Sequence, residues 1–476
     1  MAAGFVLFDR LPLLLLAGAA AAGGFAMLRW PDVTTLAAIG LVYSNLPVVA
    51  VRFHGAPALL PAAALAMFFW PLFYRLCVRR EKLLLLPASP FLLLFAIVQL
   101  LGALFSRDPQ FAFFNFVWFV LEGAVVYLVI TNLIRTRRMA ISTFWVLCGC
   151  AILMGGAPLV QQLTGSWETN FAGLAQSDAA FEAAEDAVAG EVQQSRSSGT
   201  IGETNRYAQC MIVLAPIAFS LISFGRSRGE RLFGAAGGLA ALAGAALAFS
   251  RGTAVGMALA FLAAVALKLV TRTQIKLALA GVVVALLLAP QYLVRLSSLA
   301  SLAGVISPRE SGLSQADGAI RGRVTEMAAA ALAFRDHPLI GVGPGMFRRH
   351  SREYGQMIGL RSLAEERQAH SLPLDIAAEH GICGLFAMGG VLFAVIHTLV
   401  RGRNAALAAG DRVGEQLATG MLLAVLLYLT TGLFLHLSHI RYFWLLIALG
   451  DAVGHTVAEE HPAAAPCEPR VELAAT

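Results

Sequence analysis

Long apolar segments recur along almost the whole chain, and they limit what it can fold into more than any other feature. The chain has 476 residues, of which 58% are hydrophobic and 13% are charged, and its mean hydropathy is +0.72. Soluble domains carry about 25% charged residues, whereas a membrane-spanning helix needs roughly 20 mostly apolar ones. Lipid admits only helices or closed barrels, and these segments are too long for barrel strands. The sequence therefore predicts an all-α polytopic membrane protein.

Short basic loops separate the apolar segments and indicate how the chain is threaded through the membrane. The segments centre on residues 11–28, 33–51, 57–78, 85–105, 112–133, 140–161, 207–225, 232–249, 253–270, 277–294, 372–399, 417–437 and 441–456. The basic loops lie at 79–82, 135–138, 226–231, 271–276 and 401–404. The positive-inside bias places these loops in the cytoplasm and predicts about 12 or 13 transmembrane helices, of which we favour about 12.

The same alternation divides the chain into regions. Residues 1–295 form a predicted N-terminal transmembrane bundle, which includes an acidic external loop at 163–205. Residues 296–371 form a large external loop, and residues 372–457 form the C-terminal transmembrane helices. The tail at 458–476 is rich in Ala, Pro and Glu, a composition typical of disorder. The cysteines fall mostly inside apolar segments, so we expect neither a disulfide framework nor a metal site.

The end of the large external loop carries three ionisable side chains at the mouth of a predicted membrane helix. They are Glu366, Arg367 and His370, and charge in such a place is costly unless it has a function. Ser371 is a good N-cap residue and Pro373 is tolerated in a first helical turn, so we expect a helix to begin here. The positive end of that helix disfavours a protonated imidazole, which makes His370 a candidate general base.

Two questions about His370 stay open at this point. If the preceding segment is helical, Glu366 lies one turn before His370 and orients its ring. The simpler interpretation carries equal weight, and in it His370 is an interfacial side chain that only reaches water.

Several arginines fall on the external side of the predicted topology. They are Arg196, Arg206, Arg251, Arg321 and Arg323. Arg251 lies between two central spans, against the positive-inside bias, and this position fits either anion binding or contact with lipid headgroups. Arg321 and Arg323 open an amphipathic helix predicted at 319–335, and a rigid glycine turn at 341–345 separates it from a second helix. Such a cluster suits a pyrophosphate held at the membrane surface, because arginine binds phosphate bidentately.

The same residues resemble a known family, the bacterial superfamily of O-antigen ligases and O-antigen polymerases. Its external-loop signature is His followed by Asn, Ser or Gln, nine residues, and then Gly-x-x-Gly, Thr or Tyr. Here His370 and Ser371 are followed by nine residues and then by GICG at 381–384. The stretches SGTIGETNRYA, SRG and RGRVTEMAAAALAFRDHPLIGVGPGMF are similar to further blocks of the family, so the resemblance covers about 195–390. One departure is that Glu326 and Met327 stand where an aromatic residue is often found.

The resemblance implies a GT-C-like membrane glycosyltransferase in the bacterial inner membrane, with its active site facing the periplasm. The donor would be a glycan on undecaprenyl diphosphate, and the acceptor a sugar hydroxyl of a glycan or of lipid A–core. The reaction would be inverting and would need no metal or other cofactor. Membrane lipids would be the remaining partners, and no nucleic acid is expected.

The resemblance also assigns roles to residues. His370 would be the base that activates the acceptor hydroxyl, and Arg251 and Arg323 would bind the diphosphate and stabilise the leaving group. Further substrate-binding candidates are Arg196, Arg206, Arg321, Glu366 and Arg367.

Alternative functions remain at this stage. The signature does not separate a ligase, a polymerase and a protein O-oligosaccharyltransferase of the same superfamily. The competing class is a lipid-linked oligosaccharide transporter or flippase, which would place charged or helix-breaking residues at mid-membrane. In this sequence the charges concentrate at the external ends of the predicted spans, which favours chemistry at the surface.

Overall fold

A computed structural model describes residues 27–177, 195–288, 318–358, 367–435 and 441–462. Among these residues, 78% are helical. Most of the expected first span (11–28), the first part of the large loop (296–317), Glu366 and most of the predicted tail lie outside the described residues.

The helices follow the apolar segments closely. In the N-terminal half they are α1 (Pro31–Ser44), α2 (Leu46–His54), α3 (Leu60–Ala66), α4 (Phe69–Phe73), α5 (Ser89–Leu104), α6 (Pro109–Phe119), α7 (Val125–Leu133) and α8 (Arg137–Thr164). Then follow α9 (Thr204–Phe224), α10 (Arg228–Leu247), α11 (Arg251–Ala266), α12 (Arg272–Leu288), α13 (Gly318–Asp336), α14 (Phe347–Ile358), α15 (Leu372–Ala408), α16 (Arg412–Gly432) and α17 (Arg441–Glu459). Short π-helical turns at Tyr74–Val78 and Val120–Ala124 continue α4 and join α6 to α7.

By length and hydropathy, six helical stretches among the described residues qualify as membrane spans. They are Leu60–Val78, Pro109–Leu133, Arg137–Thr164, Thr204–Phe224, Leu372–Ala408 and Arg412–Gly432. A seventh forms if α1 and α2 count as one span, bent by 58° at Asn45. Helix α5 has 16 residues, and a helix of that length rises about 24 Å, less than the roughly 30 Å hydrocarbon core. The chain is thus a multi-pass membrane protein, but the count of about 12 or 13 spans is not confirmed.

Helix α17 lies at the centre of the bundle and is buried on nearly all sides, as expected for a helix without a polar face. Its Trp444 is fully buried and packs edge-on against Phe119, with ring centroids 5.4 Å apart, and against Phe443 at 5.0 Å. Gly123 makes room for this indole, because an added Cβ would lie 2.9 Å from the Trp444 ring nitrogen. Such aromatic packing fixes the long helices against one another.

A short antiparallel ribbon is a small departure from the all-α prediction. Strand β1 (Gln176–Ser177) pairs with β2 (Ser197–Gly199) within the acidic loop. Gly199 adopts φ 52°, and an added Cβ would lie 2.2 Å from the Tyr207 ring. The small residues of β2 therefore let extended backbone lie directly on α9, where a bulkier helical turn would collide.

Helices α13 and α14 form the described part of the large loop, and both agree with the sequence prediction. They share a second core with the ends of α5 and α6 and the start of α15. On α13 the buried face consists of Ala329, Ala330 and Ala333, whose spacing of three and four residues lines one side of a helix. We call the end of the bundle where α13 and α14 lie the site end, and the other the opposite end.

Candidate active site

His370 occupies the last position before helix α15. The helix begins at Leu372 after the N-cap residue Ser371, as predicted, although the Ser371 side chain makes no capping hydrogen bond. Pro373 falls in the first turn. The backbone of His370 has φ 46°, a left-handed conformation that non-glycine residues adopt rarely and that tends to occur at functional sites.

A buried carboxylate contacts the His370 ring. Oε2 of Glu326, on α13, lies 2.7 Å from Nδ1 of His370. The Glu326 side chain is 4% exposed and that of His370 is 21% exposed. The condition under which Glu366 would orient the ring, a helix before His370, is not met, because residues 367–369 are not helical. The acid that meets the histidine comes instead from a helix more than forty residues earlier in the chain.

Arg323 lies one helical turn before Glu326 on α13. Residues three apart in a helix share a face, so Arg323 is presented on the side of α13 that carries Glu326. Its side chain is partly buried. The structure thereby brings together two of the three predicted catalytic residues, His370 and Arg323, through a residue that the prediction did not include.

The glycines of the predicted turn fit into a break in helix α15. The helix is interrupted at Gly381, which has φ 63° and ψ −161°. Next to the break, the Val342 N–H donates to the Ala378 carbonyl at 2.9 Å and the Gly343 N–H to the Glu379 carbonyl at 3.0 Å. Backbone groups released by the break are thus satisfied by the turn.

Contacts this close require glycine on both sides. An added Cβ at Gly341 would lie 2.2 Å from the carbonyl carbon of Glu379, and one at Gly381 would lie 2.3 Å from the Leu339 oxygen. On the far side of the break, the Ile382 N–H donates to the Pro338 carbonyl at 2.8 Å. The second half of the signature therefore locks α13 and its turn onto the helix that begins next to His370.

Arg196 lies beside the turn that precedes Arg251, at a second place on the site end. Nε of Arg196 donates to the Ala248 carbonyl at 3.0 Å, and its Nη2 lies 3.4 Å from Oδ1 of Asn205. The Ser250 hydroxyl donates to the same amide oxygen at 2.8 Å. Arg251 follows directly as the first residue of α11. Arg196, Asn205 and the turn before α11 therefore form one hydrogen-bonded unit.

Arg206 lies nearby, in the first turn of α9. Its Nε is 3.3 Å from Oε2 of Glu203, and this carboxylate also caps the helix by accepting the N–H groups of Asn205 and Arg206. One turn later, the Gln209 amide donates to the Thr431 hydroxyl at 2.9 Å. The start of α9 is thereby fixed to the end of α16.

The end of α16 connects this unit to His370. Gly252, at the start of α11, packs against Phe434, because an added Cβ would lie 3.0 Å from the Phe434 Cβ. Gly432 faces Leu372, two residues after His370, because an added Cβ would lie 3.3 Å from the Leu372 side chain. Helices α9, α11 and α15 thus all begin around the end of α16, and each helix start carries a partial positive charge.

The remaining predicted residues contribute less to the described geometry. Arg367 lies beside α14, where its backbone N–H donates to the Ser351 hydroxyl at 2.9 Å. Arg321 lies in the first turn of α13, and Glu366 is outside the described residues.

Ion pairs dock α14 onto the loop before α6. Arg107 lies 2.9 Å from Glu353, and Arg349 pairs with Asp108 while stacking over the Phe111 ring at 3.8 Å. The Phe111 N–H lowers the pKa of Asp108, and the Arg349 guanidinium lowers it further. The contacts place the loop before α6 and the large loop at the same end, as the predicted topology requires.

Within the described residues, one group has the spacing of a metal site. Donor atoms of Asp411, Glu460 and His461 lie within 4.8 Å of one another. The group is at the opposite end, where Arg137 already binds both oxygens of Asp411 at 2.6 Å. It has no part in the site around His370.

Glu326 and Asn205 are the main residues that sequence reasoning missed. The signal for Glu326 was present, because an acid precedes the alanines of a helix face predicted to be buried. Asn205 lies in the stretch SGTIGETNRYA, but its contact with Ser250 joins segments 45 residues apart.

The described residues thus form a multi-pass helical membrane protein with a histidine–carboxylate pair and nearby arginines at one end. A family model described as O-antigen ligase, Wzy_C, matches residues 235–389. The chain therefore carries a Wzy_C domain of the O-antigen ligase and polymerase superfamily, and the resemblance is confirmed. No curated protein sequence matches the chain.

Proposed function

We propose that this protein transfers a glycan from undecaprenyl diphosphate to a sugar hydroxyl at its site end, without a metal. The Wzy_C domain supports a glycosyltransferase of the O-antigen ligase type, with a lipid-linked glycan donor and a glycan acceptor in general terms. The observation that carries the finer proposal is the placement of His370 against Glu326, one helical turn from Arg323. A base and a phosphate-binding cation beside each other are what such a transfer needs.

The proposed reaction divides the work between these side chains. His370 takes the proton of the acceptor hydroxyl, and the oxygen attacks the anomeric carbon of the donor from the face opposite the diphosphate, which inverts that carbon. Arg323 and Arg251 bind the diphosphate oxygens and stabilise the charge that develops as the bond to the carrier breaks. The starts of α9, α11 and α15 add partial positive charge in the same region.

The position of the charged groups also supports transfer over transport. Arg206, Arg251 and His370 lie at or next to the starts of α9, α11 and α15, around the end of α16, and Arg323 lies on α13 one turn from the acid that contacts His370. In the middle of the bundle, the buried carboxylate of Asp451 accepts a hydrogen bond from Tyr127 at 2.5 Å. A paired acid of this kind is ordinary packing of a polar group within helices, whereas a transporter needs a substrate path through the bundle.

The experiment is a transfer assay with purified protein in lipid vesicles. The donor is the lipid-diphosphate-linked glycan extracted from host membranes that lack this chain, and the acceptor is the host lipopolysaccharide core or the same lipid-linked glycan. The wild type should form product without added metal. Product that appears only when divalent cations are added, or none with either acceptor, would overturn the proposal.

A matched pair of variants tests the arginine. Arg323→Lys keeps the charge but loses the planar fork that binds two phosphate oxygens, so transfer should fall about 10-fold or more, in proportion to the loss of a bidentate charged contact. Arg335→Lys is the control, because Arg335 lies on the same helix with its side chain 73% exposed. Equal activity of the two variants would remove Arg323 from diphosphate binding.

A deletion strain separates the two leading activities. Loss of long glycan chains identifies a polymerase, because repeat units are no longer joined. Accumulation of long chains on the lipid carrier identifies a ligase, because the chains form but are not passed on. Unchanged glycans on both carrier and acceptor would contradict both activities.

A further inference from the structure

We propose that Glu326 is a positioning residue that holds the His370 ring in the tautomer in which Nδ1 carries the hydrogen and Nε2 carries the lone pair that accepts a proton. This inference rests on the proposed function. It goes beyond that function because it assigns a role to the residue that replaces an aromatic side chain in the helix block of this chain. Glu326 would act through His370 and would not touch the substrates.

The surroundings of Nδ1 decide the tautomer. Oε2 of Glu326 lies 2.7 Å away, and the Gln368 carbonyl oxygen lies 3.3 Å away. Both neighbours accept hydrogen bonds when Glu326 is ionised, and neither then donates. Nδ1 must therefore be the donor, and a neutral imidazole with its hydrogen on Nδ1 has its lone pair on Nε2.

The carboxylate is held rigidly. Helix α13 packs through its alanine face, and Thr325, Ala329 and Ala330 beside Glu326 are fully buried. The glycine turn that follows α13 is hydrogen-bonded to the break in α15, so the helix that carries the acid and the helix that follows the histidine are fixed to each other. A fixed partner is what sets the direction of an imidazole ring.

The backbone of His370 is also held in place. Its φ of 46° is a conformation that a histidine adopts rarely, and its neighbours Ala369 and Ser371 are buried. A strained conformation persists only where the surroundings determine it. Chain and carboxylate together therefore leave the ring little freedom to turn Nε2 away from an acceptor.

The proton and electron balance of the step is simple. The acceptor O–H bond breaks and its proton goes to Nε2 of His370, while the oxygen forms a bond to the anomeric carbon. The bond from that carbon to the diphosphate breaks, and its electron pair leaves with the diphosphate on the carrier. Glu326 takes up no proton in this step, and its carboxylate stabilises the imidazolium, as the aspartate of a serine protease does for its histidine.

Three other charged groups lie on elements near the contact between Glu326 and His370. Arg323 lies on α13 one turn from Glu326, and Arg367 lies in the segment before His370. Asp375 lies in the first turn of α15 and is buried. The contact at 2.7 Å joins Glu326, and not Asp375, to Nδ1.

The test compares Glu326→Leu, Glu326→Gln and Glu326→Asp with the wild type in the transfer assay. Leu removes the charged acceptor at Nδ1 and leaves only the Gln368 carbonyl at 3.3 Å, so kcat should fall about 10–100-fold, the range known for histidines of metal sites that lose an orienting partner. Gln keeps an acceptor oxygen without the charge and should lie between, and Asp should retain more activity than Leu. The KM for the donor should stay within about 2-fold, because the loss falls on the transition state.

A spectroscopic measurement is independent of activity. Isotope-labelled histidine gives separate nitrogen signals for the two tautomers, and the His370 signals are assigned by their loss in His370→Gln. The wild type should show the hydrogen on Nδ1, and Glu326→Leu should show a mixture. Glu353→Gln is the control, because Glu353 lies on the adjoining α14 with its side chain 50% exposed.

The outcomes distinguish the two proposals. Wild-type protein without transfer activity overturns the proposed function, while the tautomer measurement still tests the contact. An unchanged tautomer in Glu326→Leu overturns the positioning role, and so does an unchanged kcat in folded Glu326→Leu. A rise in KM with constant kcat would also overturn it, since Glu326 would then act in donor binding.

Discussion

The protein contains a histidine–carboxylate pair at each end of its bundle, and the two pairs differ in what surrounds the acid. At the site end, Glu326 lies 2.7 Å from His370 and is almost completely buried. At the opposite end, Asp411 lies 3.1 Å from His461 and is also bound through both oxygens by Arg137. Glu326 contacts the imidazole of His370, whereas Asp411 contacts groups from several chain segments.

The difference shows what each pair does. Asp411 caps helix α16 by accepting the Val413 N–H at 3.2 Å, and Arg137 connects it to the start of α8 and to Glu460. The acid therefore ties together the ends of three helices of the bundle, α8, α16 and α17. Glu326 instead contacts a histidine that lies just before α15 in a left-handed backbone conformation. A histidine and a carboxylate thus help to hold helix ends together at the opposite end, and we call the group of Arg137, Asp411, Glu460 and His461 the latch. At the site end, the same two side-chain types form a candidate base.

The largest expected effect comes from removing each histidine in turn. His370→Ala should lower glycan transfer by about 100-fold or more, because a positioned general base contributes about 100- to 10,000-fold. His461→Ala should leave the rate close to that of the wild type. Both are measured in the vesicle assay with equal amounts of folded protein, as judged by gel filtration.

These two variants test whether the histidines at the two ends act separately in catalysis. If His461→Ala loses as much activity as His370→Ala, the latch is coupled to catalysis and the two ends are not separate. If His370→Ala transfers glycan at the full rate, the pair at the site end is structural as well, and another group must activate the acceptor.

The next largest effect is on stability and concerns the latch. Asp411→Asn keeps a good N-cap side chain but removes the charge that Arg137 and His461 contact, so it isolates the electrostatic part. Hydrogen bonds to charged groups contribute roughly 1.5–3 kcal/mol, and we expect the unfolding free energy in detergent at neutral pH to fall by about this amount. Turnover per folded molecule should not change. Exposed Glu459 supplies the control variant Glu459→Gln.

The latch also has a defined pH dependence. The hydrogen bond from Arg137 is the largest cause that lowers the pKa of Asp411 below its usual value, and the contact with His461 lowers it further. A carboxyl with a depressed folded-state pKa contributes stability that is complete above its unfolded value of about 3.9 and is lost as the pH falls toward the folded value. The difference in stability between wild type and Asp411→Asn should therefore be constant near neutrality and shrink below about pH 4. A difference that grows on acidification would contradict this account of the latch.

Features set by neighbouring residues could be predicted from the sequence. Helix α15 begins at Leu372, as the sequence predicts, with Pro373 in its first turn, although the Ser371 side chain does not form the capping hydrogen bond. Helix α13 occupies Gly318–Asp336, close to the predicted 319–335, because its alanine periodicity is local. The glycine turn was also expected. Local propensity and hydrophobic period are sufficient for such features.

Features that depend on contacts between distant segments could not be predicted from the sequence. The turn at Gly341 was predicted, but its insertion into the break at Gly381 depends on how two helices pack. The sequence pattern indicates Glu366, four residues before His370, as the partner of its ring. In the structure, Glu326 of α13 contacts the ring. Composition was also insufficient to predict the number of spans, because a helix such as α5 is apolar enough for a membrane span but shorter than a span requires.

The smallest expected effect tests whether burial or distance decides the strength of an ion pair. Arg107 and Glu353 are 2.9 Å apart at the site end, closer to each other than His461 is to Asp411, but their side chains are 65% and 50% exposed. Water screens such a pair, and exposed pairs contribute about 0–1 kcal/mol. Glu353→Gln should therefore change the unfolding free energy by less than about 0.5 kcal/mol, measured beside Asp411→Asn in the same detergent. A loss as large as that of Asp411→Asn would show that α14 depends on this contact to stay docked, and the distinction between the two ends would then rest on the histidines alone.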